Sequence, residues 1–220
     1  MRSLVHGLKF FYHDFLDRPR ESYYIPSPKV PQKLPTVWSP LQIRAFLDAA
    51  KGLPLQTMIK VAYGSGLRAN EVVHLRVPDI DSGHMTLWVR QGKRRKDRAA
   101  LLTPTLLQDL RVYWMKYRPE TWLFPSKIKQ GNPIQAGSFG KLFGRLKELT
   151  GVADRPGRIH TLRHSFATHL VAAGADVYTV SKLLGHRKIT TSMVYVHLAE
   201  GLVLKGARHL DLLTNQAFHV

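Results

Sequence analysis

The sequence predicts a mainly α fold with a small antiparallel β-sheet (α+β class), and three observations lead to this prediction. Apolar residues recur at three- and four-residue spacing along most of the 220-residue chain, as on one face of a helix. Residues 84–90 instead alternate in polarity and are rich in β-branched and aromatic side chains, which is typical of a strand, and residues 98–102 supply a hairpin partner. A hydrophobic fraction of 44% is enough to form a core and excludes global disorder.

The N-terminal segment is predicted to be a short helix followed by a linker. Residues 4–16 place apolar side chains at helical spacing. Residues 19–36 contain prolines whose spacing permits neither a helix nor a central strand. We therefore expect one helix within residues 1–18, a Pro-rich linker over residues 19–36, and a main domain over residues 37–220 with a helical tail.

Capping and chain-breaking residues predict the helices of the main domain. Ser39 followed by Pro40 is typical of a helix start, and Gly52 of its end. In the same way Ser138 is predicted to cap a helix, and Gly185 to end one. The remaining helices are expected over residues 55–63, 70–75, 104–117, 138–149, 160–173, 177–184, 190–198 and 203–213, with a short extended piece at 121–124.

The charge of the chain indicates a polyanionic partner. The 33 Lys and Arg residues exceed the 15 Asp and Glu residues and leave a net charge of +18. No apolar run approaches the roughly 18–20 residues that span a bilayer, so we expect no membrane partner and a cytoplasmic location. The absence of cysteine excludes disulfides, thiolate nucleophiles and cysteine-based zinc sites. Charge alone does not separate DNA, RNA and anionic lipid.

The densest positive run is residues 90–98, where six of nine residues are Lys or Arg. Such a run is most often a solvated hairpin tip. Here it follows a strand that contains Trp88, so the tip could reach into a nucleic-acid groove. The residues predicted to bind the nucleic acid are Arg90, Arg94, Arg95, Lys96 and Arg98.

Two pairs about one helical turn apart stand out among the remaining residues, His160 with Arg163 and His160 with His164. His160 and Arg163 are three residues apart on a predicted helix and so share a face. His164 follows His160 by one turn, but the zinc-protease glutamate and a third ligand are missing. We therefore expect His164 and His169 to be ordinary core or surface histidines.

Further candidate groups lie near turns. Arg68 directly follows the turn Gly64-Ser65-Gly66, where its guanidinium can face a cleft, and Glu71 comes one turn later. His186 lies just beyond a predicted helix end, nine residues before Tyr195.

Taken in order, these features resemble the tyrosine recombinase/integrase family, the site-specific DNA recombinases of phages, integrons and the Xer type. The resemblance covers roughly residues 36–200 and runs through the Arg68 and Glu71 turn, the Gly92-Lys93 hairpin, His160-x-x-Arg163, the Leu-Gly-His186 turn and Tyr195. It implies the DNA breaking-rejoining catalytic fold and cleavage through a covalent 3′-phosphotyrosine. It also implies a double-stranded DNA partner, a homotetramer on paired sites, and no metal or other cofactor.

The resemblance also implies roles in cleavage for particular residues. Lys93 would protonate the leaving 5′-oxygen, with Arg94, Arg95 and Lys96 as competitors because hairpin register is uncertain by a residue or two. His160 would accept the proton of Tyr195 or donate to the phosphate. His186 would be a second phosphate donor, and Glu71 an orienting carboxylate.

The same residues form a coherent phosphoryl-transfer site on chemical grounds alone. A phenol, whose pKa is about 10, is both a nucleophile and a tolerable leaving group, so strands can be rejoined without ATP. The forked guanidiniums of Arg68 and Arg163 match phosphate oxygens, which lysine would do poorly. The nearest acidic pair, Asp79 and Asp81, lies beside Pro78 and is more typical of a turn than of a metal site.

The short N-terminus departs from the family pattern. Members that act alone generally carry a complete helical core-binding domain, and residues 1–18 resemble only its last helix. We therefore expect a truncated family member whose DNA binding is weak and strongly salt-dependent.

Three other functions compete with this interpretation. The chain could be a catalytically silent DNA-binding fragment, or an enzyme like a type IB topoisomerase. An unrelated RNA-binding module is less favoured, because no RNP-like aromatic pair, GXXG loop or zinc knuckle is present. The target sequence, the direction of recombination and the host element are left open by the sequence.

Overall fold

A computed structural model describes residues 2–18, 34–90, 97–150 and 157–200. The chain divides between Leu34 and Pro35 into two compact units. The first contains helix α1, Arg2–Phe10, which continues into a π-helical turn at Phe11–Phe15, so the helix expected over residues 4–16 is confirmed. The predicted linker lies mostly outside the described residues.

The second unit is mostly helical, which confirms the predicted fold class. Within the described residues no helix is long and apolar enough to cross a membrane. Short 3₁₀ turns at Val77–Asp79 and Ile189–Thr191 interrupt the helical order. The helices are α2 Pro40–Ala49, α3 Leu53–Gly64, α4 Ala69–Val73, α5 Pro104–Tyr117, α6 Ala136–Leu149, α7 Ile159–Ala172, α8 Val177–Leu184 and α9 at residues 193–200. The tail helix predicted over residues 203–213 lies outside the described residues.

Between α4 and α5 in the sequence, the chain forms a three-stranded antiparallel sheet. Its strands are β1, Ile80–Asp81; β2, Thr86–Val89; and β3, Arg98–Leu101, in the order β1-β2-β3. Pairing of Val89 with Arg98 confirms the predicted hairpin. Strand β1 was not expected, because two residues are too few to show an alternating pattern.

Side-chain caps start three of the helices, α2, α5 and α8. The hydroxyl of Ser39 accepts from the amide of Gln42, and the side-chain oxygen of Gln42 accepts from the amide of Ser39. Ser39 therefore caps α2, as predicted. The Ser138 cap was wrong, because α6 begins at Ala136. The carbonyl of Gln135 already accepts the first helical bonds, from the amides of Ser138 and Phe139, which places Ser138 inside the first turn.

Helix α7 forms the centre of the second unit. On one side the aromatic cluster of Trp38, Phe46 and Phe143, with ring centroids 4.8–5.7 Å apart, fills the main core. The amide of Trp38 donates to the hydroxyl of Ser165, which ties the start of the unit to α7. A smaller cluster packs Phe166 of α7 against residues of α8 and α9. Residues of α7 therefore belong to both clusters.

Candidate active site

The turn after α3 places Arg68 beside α7. Gly66 has a left-handed φ of 62°, and a Cβ there would lie 2.4 Å from the ring of Phe166. Only glycine allows this close approach. Arg68 follows in an extended conformation as the N-cap of α4, with 29% of its side chain exposed. Its guanidinium is therefore held at the protein surface, where it can meet a substrate.

Glu71 is the centre of a buried cluster of charges. Its carboxylate accepts from the amide of Arg68 at 2.9 Å, from Nη1 of Arg68 at 2.7 Å and from Nη2 of Arg98 at 2.7 Å. Nη1 of Arg163 lies 3.8 Å away. Burial by itself would raise the pKa of Glu71, but Arg98, Arg68 and Arg163 together hold the pKa below its ordinary value. The carboxylate is therefore ionised at neutral pH and holds the guanidiniums of Arg68 and Arg98 by hydrogen bonds.

Replacing Glu71 with glutamine is expected to lower the free energy of unfolding by about 3 kcal/mol, because it leaves buried guanidiniums without their counter-charge. The folded-state pKa of Glu71 lies below its unfolded value of about 4.3. Its contribution is therefore complete above that pH and is lost as the pH falls through the folded-state pKa. Urea unfolding at several pH values measures both effects, and the variant should lose this acid-dependent component.

Asp109→Asn is the matched control for Glu71→Gln. Asp109 pairs with Lys60 at a partly exposed site, with 30% and 27% of the side chains accessible. An exposed pair contributes at most about 1 kcal/mol. Equal losses from the two variants would contradict the central role of Glu71.

Arg163 is almost wholly buried, with 3% of its side chain exposed. Nη1 donates to the carbonyl of Gly66 at 2.7 Å, and Nη2 donates to the carbonyl of Leu184 at 2.6 Å. Burial, and then the charge of Arg68, lower the pKa of Arg163 to about 10. It therefore stays charged at neutral pH and links the Arg68 turn to the end of α8.

The charge of Arg163 acts on both predicted site histidines. His160 is exposed in the first turn of α7, and partial burial together with Arg163 and Arg68 lowers its pKa. His186 follows Gly185, which ends α8 in the left-handed conformation, as predicted. Its Nδ1 hydrogen-bonds the buried hydroxyl of Ser192 at 2.7 Å. Burial, with Arg163 and Arg68, lowers the pKa of His186 to about 4, so both rings are neutral at pH 7.

Tyr195 lies on α9 with only 2% of its surface exposed. Its ring stacks on that of His186 at a centroid distance of 6.2 Å. Its hydroxyl hydrogen-bonds Nδ1 of His164 at 3.0 Å. Burial raises the pKa of Tyr195, while Arg163 and Arg68 act in the opposite direction. The phenol is therefore protonated at neutral pH and has to lose its proton in order to react.

His164 is the residue that the sequence analysis missed. It was expected to be an ordinary histidine, yet it provides the hydrogen-bond partner of the Tyr195 hydroxyl. Burial, with His160 and Arg163, lowers its pKa to about 4. The available signal was its position one turn after His160 on the same helical face. His169, in contrast, hydrogen-bonds Tyr63, with 2.8 Å between its Nδ1 and the tyrosine hydroxyl. It makes the kind of contact expected of a core histidine.

The basic hairpin residues fall into two groups. Lys93, Arg94, Arg95 and Lys96 lie outside the described residues. Arg90 is exposed and ion-paired with Asp79. Arg98 points inward to Glu71 with 13% of its side chain exposed. This position differs from the DNA-facing one expected from the sequence.

The acidic pair near Pro78 takes part in local contacts. Asp79 binds Arg90 and the amide of Arg76, and Asp81 binds His84. Across residues 2–18, 34–90, 97–150 and 157–200, no group of three or more His, Cys, Asp or Glu side chains could hold a metal ion.

Comparison with known proteins identifies the family. Residues 38–201 match the phage integrase family. The chain is 39% identical over 216 residues to integrase/recombinase y4qK of Sinorhizobium fredii, a match that covers 97% of this chain and 69% of that protein. It is 32% identical to tyrosine recombinase XerC 2 of Ralstonia nicotianae, with 78% of this chain and 52% of that protein covered. The fold is similar to that of the XerH site-specific recombinase in a post-cleavage complex with palindromic difH substrate, with a TM-score of 0.72, 23% identity, and 94% of this chain and 65% of that chain covered. The chain therefore belongs to the phage integrase family, the tyrosine-type site-specific DNA recombinases.

Proposed function

We propose that this recombinase cleaves and rejoins double-stranded DNA through a covalent bond between Tyr195 and a 3′-phosphate. The observation that carries the proposal is the convergence of Tyr195, Arg163 and His186 at the end of α8. Tyr195 stacks on His186, Arg163 holds the carbonyl of Leu184, and the charges of Arg163 and Arg68 act on the Tyr195 phenol. A phenol and phosphate-binding cations are thus assembled from distant parts of the chain.

The arginines would supply the electrostatic part of the reaction. Attack by the Tyr195 oxygen on phosphorus spreads negative charge over the non-bridging phosphate oxygens. Guanidiniums of Arg68 and Arg163 are charged, forked and already oriented by Glu71 and main-chain carbonyls. Preoriented donors stabilise developing charge without reorganising during the reaction. His160 and His186 would add neutral hydrogen bonds to the same oxygens.

The proton of Tyr195 has two candidate acceptors. His160 is the acceptor predicted from the sequence, whereas His164 already hydrogen-bonds the hydroxyl. Both rings have lowered pKa values and are neutral at pH 7, so either can accept a proton. Because Tyr195 is only 2% exposed, binding of DNA has to expose its hydroxyl before the oxygen reaches phosphorus.

The leaving 5′-oxygen needs a proton in turn, and Lys93 is proposed to give it. Lys93→Ala should cleave an ordinary substrate about 10²- to 10⁴-fold more slowly, as loss of a general acid does. A substrate with sulfur at the 5′-bridging position should be cleaved by the variant at nearly the wild-type rate, because a thiolate leaves without protonation. Single-turnover cleavage of both substrates measures this.

Arg94→Ala, Arg95→Ala and Lys96→Ala are the matched controls for Lys93→Ala. They should show no selective recovery on the sulfur substrate. If one of them recovers and Lys93→Ala does not, the general acid is that neighbouring residue.

The partner is proposed to be double-stranded DNA, with four copies of the chain assembled on paired sites. The XerH relative in complex with its difH substrate supports the choice of DNA. The net charge of +18 supports binding to phosphates. Residues 203–213, predicted to form an apolar tail helix, lie outside the described residues.

The direct test uses a pool of duplexes with randomised sequence, each carrying a nick near its centre. Cleavage near a nick releases a short fragment, so the covalent intermediate is trapped. We expect denaturation-resistant protein–DNA adducts in the presence of a metal chelator, with the nucleotide attached to Tyr195. Sequencing the trapped DNA identifies the target site.

The same pool separates the competing functions. A silent DNA-binding fragment would retain DNA without any adduct. A topoisomerase would form adducts with little sequence preference and relax supercoiled plasmid. A restricted set of trapped sequences supports site-specific recombination.

A further inference from the structure

Arg98 lies on the inner face of β3. Side chains alternate between the two faces of a strand, so Arg98 shares its face with Ala100, which is buried, while Ala99 between them is exposed. Only 13% of the Arg98 side chain is accessible. Arg98 is thus directed into the protein although it closes the most basic run in the chain.

Both terminal nitrogens of the Arg98 guanidinium donate hydrogen bonds, one to Glu71 and one to the end of α8. Nη2 donates to Glu71 at 2.7 Å, and Nη1 donates to the carbonyl of Leu183 in the last turn of α8. Carbonyls at a helix C-terminus have no partner within the helix, and a cation there is favoured by the helix dipole.

Gly185 makes the Leu183 contact possible. A Cβ at this position would lie 2.6 Å from Cδ of Arg98. A side chain at position 185 would therefore displace Arg98 from the end of α8. The same glycine directs the chain into His186, so the contact and the site histidine depend on one turn.

We propose that Arg98 is a positioning residue for DNA cleavage, which fixes Glu71 and Arg68 relative to the His186 turn, and that it does not bind DNA. The inference rests on the proposed cleavage function. Arg68 and His186 come from distant segments, and Arg98 connects them through one planar group. A misplacement of about 1 Å at such a site can cost about 10²-fold in rate.

The first test separates the cleavage rate from DNA affinity. Arg98→Ala should lower single-turnover cleavage at saturating DNA by about 10²-fold, while the Kd for DNA and its salt dependence stay unchanged. Arg98→Lys keeps the charge but cannot reach both partners in fork geometry, so we expect an intermediate loss of about 10-fold. It also keeps the buried charge, which preserves the test if the alanine variant fails to fold.

Two arginine variants serve as controls for this measurement. Arg94→Ala, at the predicted DNA-binding tip, should raise the Kd and reduce the salt slope by about 1. Arg111→Ala, at an exposed position on α5, should change neither the Kd nor the cleavage rate. The first control shows how loss of a phosphate contact changes the Kd and its salt dependence. The second shows the effect of removing a charge far from the site.

A second readout does not depend on activity. The positive charge of Arg98 contributes to the lowered pKa of His186. NMR titration of labelled histidine should therefore show a higher His186 pKa in Arg98→Gln and little change in Arg98→Lys.

The outcomes are distinguishable. An Arg98→Ala variant that behaves like Arg94→Ala, with weaker and less salt-dependent binding and normal cleavage at saturation, would overturn the inference alone. An unchanged His186 pKa in Arg98→Gln would also count against it. If the wild-type protein forms no Tyr195-linked adduct, the proposed function itself is refuted, whatever Arg98 does to binding.

Discussion

Replacing Tyr195 with phenylalanine is expected to abolish the covalent protein–DNA adduct. The variant keeps the ring that stacks on His186 and loses only the oxygen that would attack phosphorus. It also leaves Nδ1 of His164 without its partner, which costs about 1–3 kcal/mol of stability. DNA binding should persist, because Arg68 and Arg163, which are proposed to bind the phosphate, are unchanged. Trapping on nicked duplexes and gel-shift titration measure the two properties separately.

Tyr178→Phe is the control for Tyr195→Phe. Tyr178 lies in the first turn of α8, and 59% of its surface is exposed. It should give adducts at the wild-type level. A Tyr195→Phe protein that still becomes covalently linked to DNA would show that another residue is the nucleophile.

Replacing Arg68 with lysine is expected to slow cleavage by about 10²- to 10⁴-fold, as loss of a transition-state donor does. Lysine keeps the charge but offers a single ammonium in place of the fork that binds Glu71 and is proposed to bind the phosphate. The affinity for DNA should change little, since many other cations hold the duplex. Single-turnover cleavage at saturating DNA measures the loss.

Arg76→Lys is the matched control for Arg68→Lys. Arg76 is exposed and stacks on Trp122, with its guanidinium carbon 4.8 Å from the ring centroid. Its replacement should leave cleavage unchanged. If Arg68→Lys lowered only DNA affinity and cleaved normally at saturation, Arg68 would be a binding residue without a role in the transition state.

Local signals predicted the fold well where the chain itself fixes the backbone. Ser39 caps α2 and Gly185 ends α8 as expected, the latter with a left-handed φ of 65°. Each feature depends on a few neighbouring residues. The start of α6 was misplaced because Gln135 caps it with its main chain, which leaves no side-chain signal.

For the candidate site, the sequence predicted which residues share a helical face but not which side chains touch across different helices. The spacing of residues 160–163 fixed their common helical face, but proximity to Tyr195 depends on how α7 and α9 pack. His164 therefore could not be linked to the Tyr195 hydroxyl from spacing alone. The high charge of residues 90–98 predicted that Arg98 faces DNA. Strand alternation instead places Arg98 on the same face of β3 as Ala100, which is buried.

The acceptors at the end of α8 have a consequence for evolutionary variation. Arg98 and Arg163 bind the carbonyls of Leu183 and Leu184, and carbonyls are present whatever the side chain. Position 183, which is only partly buried, can therefore mutate freely without removing an anchor. Gly185 cannot, since any side chain would meet Arg98. Position 183 should therefore tolerate substitution and position 185 should not, although the two are only two residues apart. This difference follows from the backbone geometry of the turn and not from the chemical type of the side chain.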